Sequence, residues 1–361
     1  MSLHLTKRVL LPLGIAASIS ACGGGGSSPA GPPNPLYVNA TSGSDTNLGD
    51  QSHPLASVLK AAQLALDGYK IVVAPGTYKE GGITTSRQGK DPRGVQFVAD
   101  ASGTQTGTAA GPVTIDATGS SAGFNLSSSS AAIIDGDTIK AIIDGFTISG
   151  AIGSNSAGIV VKSGSDDLSI QNCIIHDNGD DGIRVQDSTG VLVFNNLVYD
   201  NAGDGINIAG NDTGSPNARL YNNTVFSNGG HGVTIGTSGV ASPRASLRNN
   251  IVQDNAGNIK VFTRPRSDLG FDGNCNLVFP ASYDGVAGGT HDLATDAKFV
   301  NPPRDFHLRP NSPAIDASDP SDCALIGLPN SQQLILRQRT TVTKGDPDGG
   351  WFDLGFHFLR N

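Results

Sequence analysis

One position of a repeated sequence carries a carboxylate in two repeats and an imidazole in a third. The residue just before the third apolar run of each repeat is in turn Asp, Asp, His and Gly, and a further Asp precedes the first of them. These residues are Asp180, Asp181, Asp204, His231 and Gly257. Clustered carboxylate oxygens bind Ca²⁺, and paired carboxylic acids cleave glycosidic bonds. The pattern therefore predicts a calcium site or an acid–base pair.

A second row of side chains follows three and five residues later in each repeat. Alternate side chains of a strand face opposite sides, so inward Ile183 and Val185 place Arg184 outward. The outward row in successive coils includes Lys162, Arg184, Asn207, Thr234, Lys260 and Phe262. We predict catalytic roles for Asp180, Asp181, Asp204, His231, Arg184 and Lys260. We predict substrate binding by Lys162, Asn207, Thr234 and Phe262.

Four similar stretches of sequence carry these residues. Their first Asn residues are Asn172, Asn195, Asn222 and Asn249, so the spacings are 195−172 = 23, 222−195 = 27 and 249−222 = 27 residues. A period of this size is typical of a solenoid. Each repeat has three short apolar runs and no helical periodicity, which predicts three strands per coil. The predicted fold is an all-β parallel β-helix.

Equivalent residues of successive coils are expected about 4.8 Å apart, the spacing of paired strands. The column Cys173, Asn196, Asn223 and Asn250 resembles the internal asparagine ladder of right-handed β-helices, in which side-chain amides bond along the stack. The resemblance implies a right-handed coil, with Cys173 as a small buried substitute rather than a reactive thiol. Two columns are predicted to form the core: Ile175, Val198, Val225 and Val252, and Ile183, Ile206, Val233 and Ile259.

The stretch NGDDGIRV around Asp181 resembles the calcium-binding Asp-Asp-Gly motif of family 9 pectate lyases. The resemblance implies a calcium-assisted elimination in which a base removes the proton beside a uronate carboxylate. The implied calcium ligands are Asp180, Asp181 and Asp204. The family's next Asp is Arg184 in this chain and its catalytic Lys is Asn207. Lys260 or Arg184 would therefore supply the base.

A resemblance to hydrolases stays open beside the first. The motifs GDD from Gly179, GDGINI from Gly203, GGHGVTIG from Gly229 and NIK from Asn258 resemble four motifs of polygalacturonases. The resemblance implies an inverting acid and base, which need a separation of about 6.5–9.5 Å. Asp181 and Asp204 stack directly and would be too close. The predicted pair is therefore Asp180 with Asp204.

Two interpretations without catalysis also remain. Asp, Asn and Gly suit tight bends, because their side chains cap local backbone groups and they tolerate left-handed conformations. The bend residues would then serve the fold alone. The outward row would otherwise form a glycan-binding or adhesive surface, in which Phe262 is the aromatic side chain. For a binding or catalytic groove, the predicted partner is an acidic, uronate-containing polysaccharide.

Residues 1–21 have the pattern of an export signal, with basic residues, a short apolar run and Ile19-Ser20-Ala21-Cys22. This pattern resembles a bacterial lipoprotein signal peptide and implies cleavage before Cys22 and its lipidation. In that family an Asp after the Cys favours the inner membrane, so Gly23 implies an outer-membrane lipoprotein. Residues 22–35 are Gly, Ser and Pro, typical of a flexible linker. Membrane contact is predicted through the lipid only.

The rest of the chain divides into a cap with the first coil, residues 36–80, the central coils, 81–265, and C-terminal coils with an irregular segment, 266–361. A helix around Ser57 to Leu66 is predicted to cover the end of the solenoid. Leu36 to Glu80 resembles the opening module of bacterial β-helix proteins related to pectate lyases. The ending, with Phe352-Asp353-Leu354-Gly355, resembles that of proteins with the choice-of-anchor Q domain.

Besides Cys22, the chain has three cysteines, Cys173, Cys275 and Cys323. Cys275 and Cys323 are a plausible disulfide in an oxidising periplasm. The net charge of −8 argues against nucleic acid as a partner. It also makes an anionic polymer an awkward partner unless a metal ion or a local basic strip offsets the repulsion. We expect a monomer.

Overall fold

The computed structural model describes residues 34–85, 94–126, 141–162, 167–209, 217–237, 244–262, 271–318, 323, 328, 330–342 and 351–359. Within them the chain winds as a parallel β-helix, and most coils contribute one strand to each of three sheets. The predicted lipidation site, Cys22, lies outside the described residues.

The three sheets are parallel and follow the solenoid axis, and the third begins only at Ala122. The first sheet contains Leu36–Val38, Lys70–Val73, Gln96–Ala99, Ala141–Asp144, Leu168–Gln171, Thr189–Phe194, Asn217–Tyr221, Arg244–Arg248 and Phe271–Asn274. The second contains Gly76–Lys79, Val113–Asp116, Thr147–Ser149, Ile174–His176, Leu197–Tyr199, Thr224–Phe226, Ile251–Gln253 and Leu277–Phe279. The third contains Ala122–Leu126, Ala157–Val161, Asp181–Gln186, Ile206–Ala209, His231–Ile235, Gly257–Val261 and Tyr283–Asp284.

The strand register agrees with the register predicted from the repeat. Ile183 pairs with Ile206, Ile206 with Val233 and Val233 with Ile259. Every residue of the two predicted core columns is at most 1 % exposed. Branched aliphatic side chains fit this narrow interior because each inward residue stacks on its equivalent in the next coil. The core is a column of like residues.

Two asparagine ladders hold the coils in register. In the predicted ladder, Asn196 donates its amide to Asn223 Oδ1 at 3.1 Å, and Asn223 to Asn250 Oδ1 at 3.0 Å. Cys173 is buried at its head, and burial raises the pKa of its thiol to about 12. A second ladder, which was not predicted, follows the other bend. It joins Asn178, Asn201, Asn228 and Asn255 through amide contacts of 2.9 Å.

Each bend places a residue in the left-handed region directly before its ladder residue. Asn172, at φ 57°, precedes Cys173, and Asp177, at φ 51°, precedes Asn178. Asn and Asp tolerate this conformation better than other residues with a side chain. The recurring Asn and Asp of the sequence are thereby explained at both bends.

A short helix covers the N-terminal end. It runs over Val58–Leu64, and Ser57 caps it by accepting a hydrogen bond from Lys60 N. The predicted helix ended two residues later, at Leu66, but Ala65 is already extended, with ψ 134°. The first two amides of the helix, those of Val58 and Leu59, donate to the Glu80 carboxylate at 2.7 and 2.9 Å. The first turn of the helix is therefore held by Glu80, which directly follows the strand Gly76–Lys79.

The C-terminal segment packs on the outside of the first and second sheets. A hairpin of Phe299–Asn301 and Asp305–Leu308 contributes to an apolar cluster with the second sheet. The helix Asn330–Arg337 contributes Leu336 to a cluster with the first sheet. The tail also crosses the bend between those sheets, where His357 N donates to Asn195 Oδ1 at 2.6 Å.

The predicted disulfide is present between Cys275 and Cys323, whose Cα atoms lie 5.6 Å apart. It links the end of the first sheet to the C-terminal segment. Among the described residues, no helix has both the length and the apolar character needed to cross a membrane.

Candidate functional site

The outer face of the third sheet brings the predicted outward row together. Arg184 pairs with Asn207, Asn207 with Thr234 and Thr234 with Lys260 in consecutive strands. Parallel strands are about 4.8 Å apart, so four polar side chains follow one another along the solenoid. We call this face the third-sheet groove, and it extends to Asp284, which pairs with Lys260 in register.

Arg184 does not face solvent as predicted. Its side chain is 8 % exposed, its Nε donates to Asp181 Oδ2 at 2.6 Å, and its Nη2 donates to Asp180 Oδ2 at 2.9 Å. The two preceding acids lie at the bend of the same coil, so the side chain folds back over them. Arg184 is therefore a buried counter-ion rather than a free base. Its predicted role as a base is not supported by this geometry.

Burial and charge act in opposite directions on this ion pair. Desolvation raises the pKa of Asp181, and the Arg184 guanidinium opposes this rise. Desolvation also lowers the pKa of Arg184, but the charges and hydrogen bonds of Asp181 and Asp180 outweigh it, so the net shift is upward. Arg184 stays protonated and compensates the charge of the acids.

The bend carboxylates also bind backbone amides of neighbouring turns. Asp181 Oδ1 accepts from Asp204 N at 2.9 Å, and Asp204 Oδ1 accepts from His231 N at 2.7 Å. Asp180 Oδ2 accepts from Asn155 N at 2.9 Å. Gly203 leaves room for the Asp180 carboxylate, since a Cβ there would lie 2.3 Å from Asp180 Oδ1. These hydrogen bonds give the acids a structural role at the bends.

The side chains at this bend do not fit a calcium ion. Calcium takes six to eight oxygen ligands, but the Arg184 cation already lies against one carboxylate oxygen of Asp180 and one of Asp181. Among the described residues, no group of three or more His, Cys, Asp or Glu side chains is arranged to hold a metal ion. The predicted calcium ligands Asp180, Asp181 and Asp204 instead contact Arg184 and backbone amides.

Asp204 and His231 form the most accessible titratable pair of the predicted set. His231 Nδ1 lies 3.7 Å from Asp204 Oδ1, and their side chains are 31 % and 17 % exposed. The imidazole ring lies against Gly257, where a Cβ would come 2.6 Å from His231 Cδ2. A glycine at this position therefore leaves space for the ring. An imidazole beside a carboxylate is a suitable general acid or base.

The binding residues predicted along the groove have distinct surroundings. Lys162 is exposed, and Lys260 Nζ lies 4.8 Å from the centre of the Phe262 ring and 3.4 Å from Asp284. Asn207 donates its amide to Asp181 Oδ2 at 3.1 Å. The groove therefore offers cationic and amide donors with one aromatic ring.

Two buried polar atoms of this row have no hydrogen-bond partner in the described part of the chain. They are Thr234 Oγ1 and Asn125 Oδ1. Asn125 pairs with Val160, which pairs with Arg184, so both atoms belong to the same face. Asn125 and Asp284 were not predicted because they lie in coils outside the four aligned repeats, two coils before Arg184 and one coil after Lys260.

Residues 113–275 match the family model described as the right handed beta helix region. The chain is a right-handed parallel β-helix. No curated protein sequence matches this chain.

Several solved structures resemble the backbone at low sequence identity. A pectate lyase, Pel9A, is 16 % identical over 78 % of this chain and 92 % of its own, with a TM-score of 0.46. A rhamnogalacturonan lyase is 13 % identical over 73 % of this chain and 85 % of its own, also with a TM-score of 0.46. The pectin methylesterase from Aspergillus niger is 15 % identical over 73 % of this chain and 84 % of its own, with a TM-score of 0.35.

Proposed function

We propose that the third-sheet groove binds an acidic, uronate-containing polysaccharide and that a lipid on Cys22 holds the protein at the outer membrane. The observation that carries the binding proposal is the in-register row of Asn207, Thr234 and Lys260. A polymer with a repeating unit is matched by a surface that repeats its donors at every strand.

The unpartnered atoms of the row support a ligand there. A buried polar atom without a partner costs about 1–3 kcal/mol, and Thr234 is only 5 % exposed. Thr234 and Asn125 are four strands apart, so two different hydroxyls of one bound polymer, hydrogen-bonded to Thr234 Oγ1 and to Asn125 Oδ1, would remove that cost. Binding along the groove therefore has a favourable contribution that the free protein lacks.

The acidic nature of the ligand is proposed from the cations of the groove. Lys162 is exposed and Lys260 contacts Asp284, whose side chain is 64 % exposed. Exposed ion pairs contribute only about 0–1 kcal/mol, so a uronate carboxylate can replace Asp284 beside Lys260. Lys162 and Lys260 would then offset locally part of the repulsion expected from a net charge of −8.

The proposal is tested with matched ligands. The full chain carrying Cys22→Ser, which cannot be lipidated, is titrated with an oligogalacturonate, with its neutral methyl ester and with an oligomannuronate. We expect a charged oligomer to bind more tightly than the ester. Lys260→Met and Thr234→Val should weaken binding, and Lys79→Met, at an exposed lysine of the second sheet, should not. Equal affinity for acid and ester, or no effect of Lys260→Met, would contradict the proposal.

Cleavage of the bound polymer is a second candidate function. The 3.7 Å approach of His231 Nδ1 to Asp204 Oδ1 favours it, because this pair is partly exposed beside the row. Incubation with the same oligomers, followed by absorbance of unsaturated uronides and by reducing-end release, distinguishes elimination from hydrolysis. Activity that His231→Gln and Asp204→Asn both abolish supports cleavage. If the oligomers bind but neither unsaturated uronides nor new reducing ends appear, the protein binds the polymer without cleaving it.

The anchoring proposal has a separate test. Cells expressing the full chain are fed an alkyne-labelled palmitate and their membranes are fractionated. Label on the wild-type protein in the outer-membrane fraction, and its loss in Cys22→Ser, is the expected result. Wild-type protein without label would contradict lipidation, whatever the groove binds.

A further inference from the structure

A cleft of about 410 Å³ lies between the outer face of the second sheet and the C-terminal segment. Phe226 and Gln253 of adjacent strands form its sheet side, and Asp296, Phe299 and Arg309 line it from the segment. Small-molecule sites have volumes of roughly 300–1,000 Å³. The cleft is therefore large enough for a ligand, and its sheet residues belong to a different sheet from the groove.

A buried amide holds two carboxylates in this cleft. Gln253 is 5 % exposed, and its Nε2 donates to Asp254 Oδ2 and to Asp296 Oδ1, each at 3.0 Å. The two oxygens are thus at most 3.0 + 3.0 = 6.0 Å apart. Gln253 Oε1 accepts from Ala297 N at 2.9 Å, which fixes the amide itself. The acceptors are positioned before any ligand arrives.

Two cations line the same cleft without pairing with these acids. Arg309 donates to the carbonyl oxygens of Phe299 and Val300 at 3.1 and 2.9 Å. Lys298 Nζ donates to Asn311 O at 3.1 Å. The four charged side chains, two acidic and two basic, sum to zero formal charge. The lining thus presents separated donors and acceptors and does not favour a strongly charged ligand.

One wall of the cleft is aromatic. The rings of Phe226 and Phe299 lie edge to face, with centres 5.8 Å apart. A fitting ligand has an apolar face for this wall and several hydroxyls for the carboxylates and cations opposite. Neutral pyranose sugars combine both properties in one ring, whereas a simple ion or an apolar molecule has only one.

We propose that this cleft binds a neutral sugar unit, as a second saccharide site that is independent of the third-sheet groove. Asp254 and Asp296 accept from its hydroxyls, Arg309 and Lys298 donate to them, and Phe226 packs against the ring face. The ligand class differs from that of the groove, where the cations favour uronates.

The test uses neutral tetrasaccharides as probes: cellotetraose, maltotetraose, xylotetraose and β-1,4-galactotetraose, with tetragalacturonate as the charged comparison. Calorimetric titration of the full chain carrying Cys22→Ser should detect binding of at least one neutral probe. Asp254→Asn should weaken that binding about tenfold, because a hydrogen bond to a charged acceptor becomes a neutral one. Asn also tolerates the left-handed conformation of Asp254, at φ 57°.

The chain offers a matched control for this variant. Asp200 has the same left-handed conformation, φ 51°, at the same bend two coils away, and it does not line the cleft. Asp200→Asn should leave binding unchanged, as should Lys260→Met in the groove. Binding of none of the neutral probes, binding that survives Asp254→Asn, or binding that Lys260→Met removes would each overturn the proposal.

Discussion

Replacing Arg184 with methionine should leave Asp181 as a buried carboxylate without its cation. Asp181 is 2 % exposed, and its Oδ2 would keep one hydrogen bond, from Asn207 at 3.1 Å. Breaking a buried ion pair by removing one partner costs about 3–5 kcal/mol. The second acid, Asp180, is 31 % exposed and screened by water. We therefore expect a loss near the lower limit, about 3 kcal/mol.

The loss can be measured by urea unfolding followed by circular dichroism. Adding Asp181→Asn to Arg184→Met should recover about 2 kcal/mol, because the amide removes the buried charge and its oxygen still accepts from Asp204 N. Asp272→Asn serves as a control, since it removes an exposed partner of Arg248 on the first sheet. A double variant no more stable than Arg184→Met would refute the role of Arg184 as counter-ion.

The stability lost in Arg184→Met should also depend on pH. Burial already raises the pKa of Asp181 in the folded protein, and removing Arg184 removes the effect that opposes this rise. A carboxyl with a folded-state pKa above its unfolded value is protonated preferentially in the folded state. The deficit of Arg184→Met should therefore shrink as the pH falls from neutral towards 4. A deficit that grows on acidification would contradict the reasoning.

Three further outcomes are expected. Millimolar calcium should leave the unfolding midpoint of the wild-type protein unchanged, because Arg184 already neutralises the bend acids; a higher midpoint would show that a calcium site exists. Asn223→Ala should lower the free energy of unfolding in urea by about 2–4 kcal/mol, because it breaks several buried amide hydrogen bonds of about 1 kcal/mol each and leaves their partners unpaired. A loss under about 1 kcal/mol would show that the ladder does not stabilise the fold. Gly257→Ala should shift the NMR resonances of the His231 ring, because the new methyl collides with it, and unchanged ring shifts would contradict that contact.

The sequence by itself determined the fold, the core columns and one ladder. In a solenoid the residue one period away in sequence is the neighbour in space. The spacing of Asn196, Asn223 and Asn250 therefore predicts that they contact one another. Alternation likewise assigned Ile183 inward and placed Thr234 in register with its neighbours. The second ladder was equally periodic, and Asn201 and Asn228 were overlooked although they stand in the aligned repeats.

Tertiary structure alone decided the partners of the charged side chains and the docking of the C-terminal segment. Alternation assigns a face but not a rotamer, so it could not show that Arg184 bends back onto Asp181. The contact between Asn195 and His357 joins residues 162 positions apart, and the cleft beside Phe226 combines a periodic sheet with an aperiodic segment. No period relates such residues, because their contacts are set by how two surfaces pack and not by a repeated step along the chain.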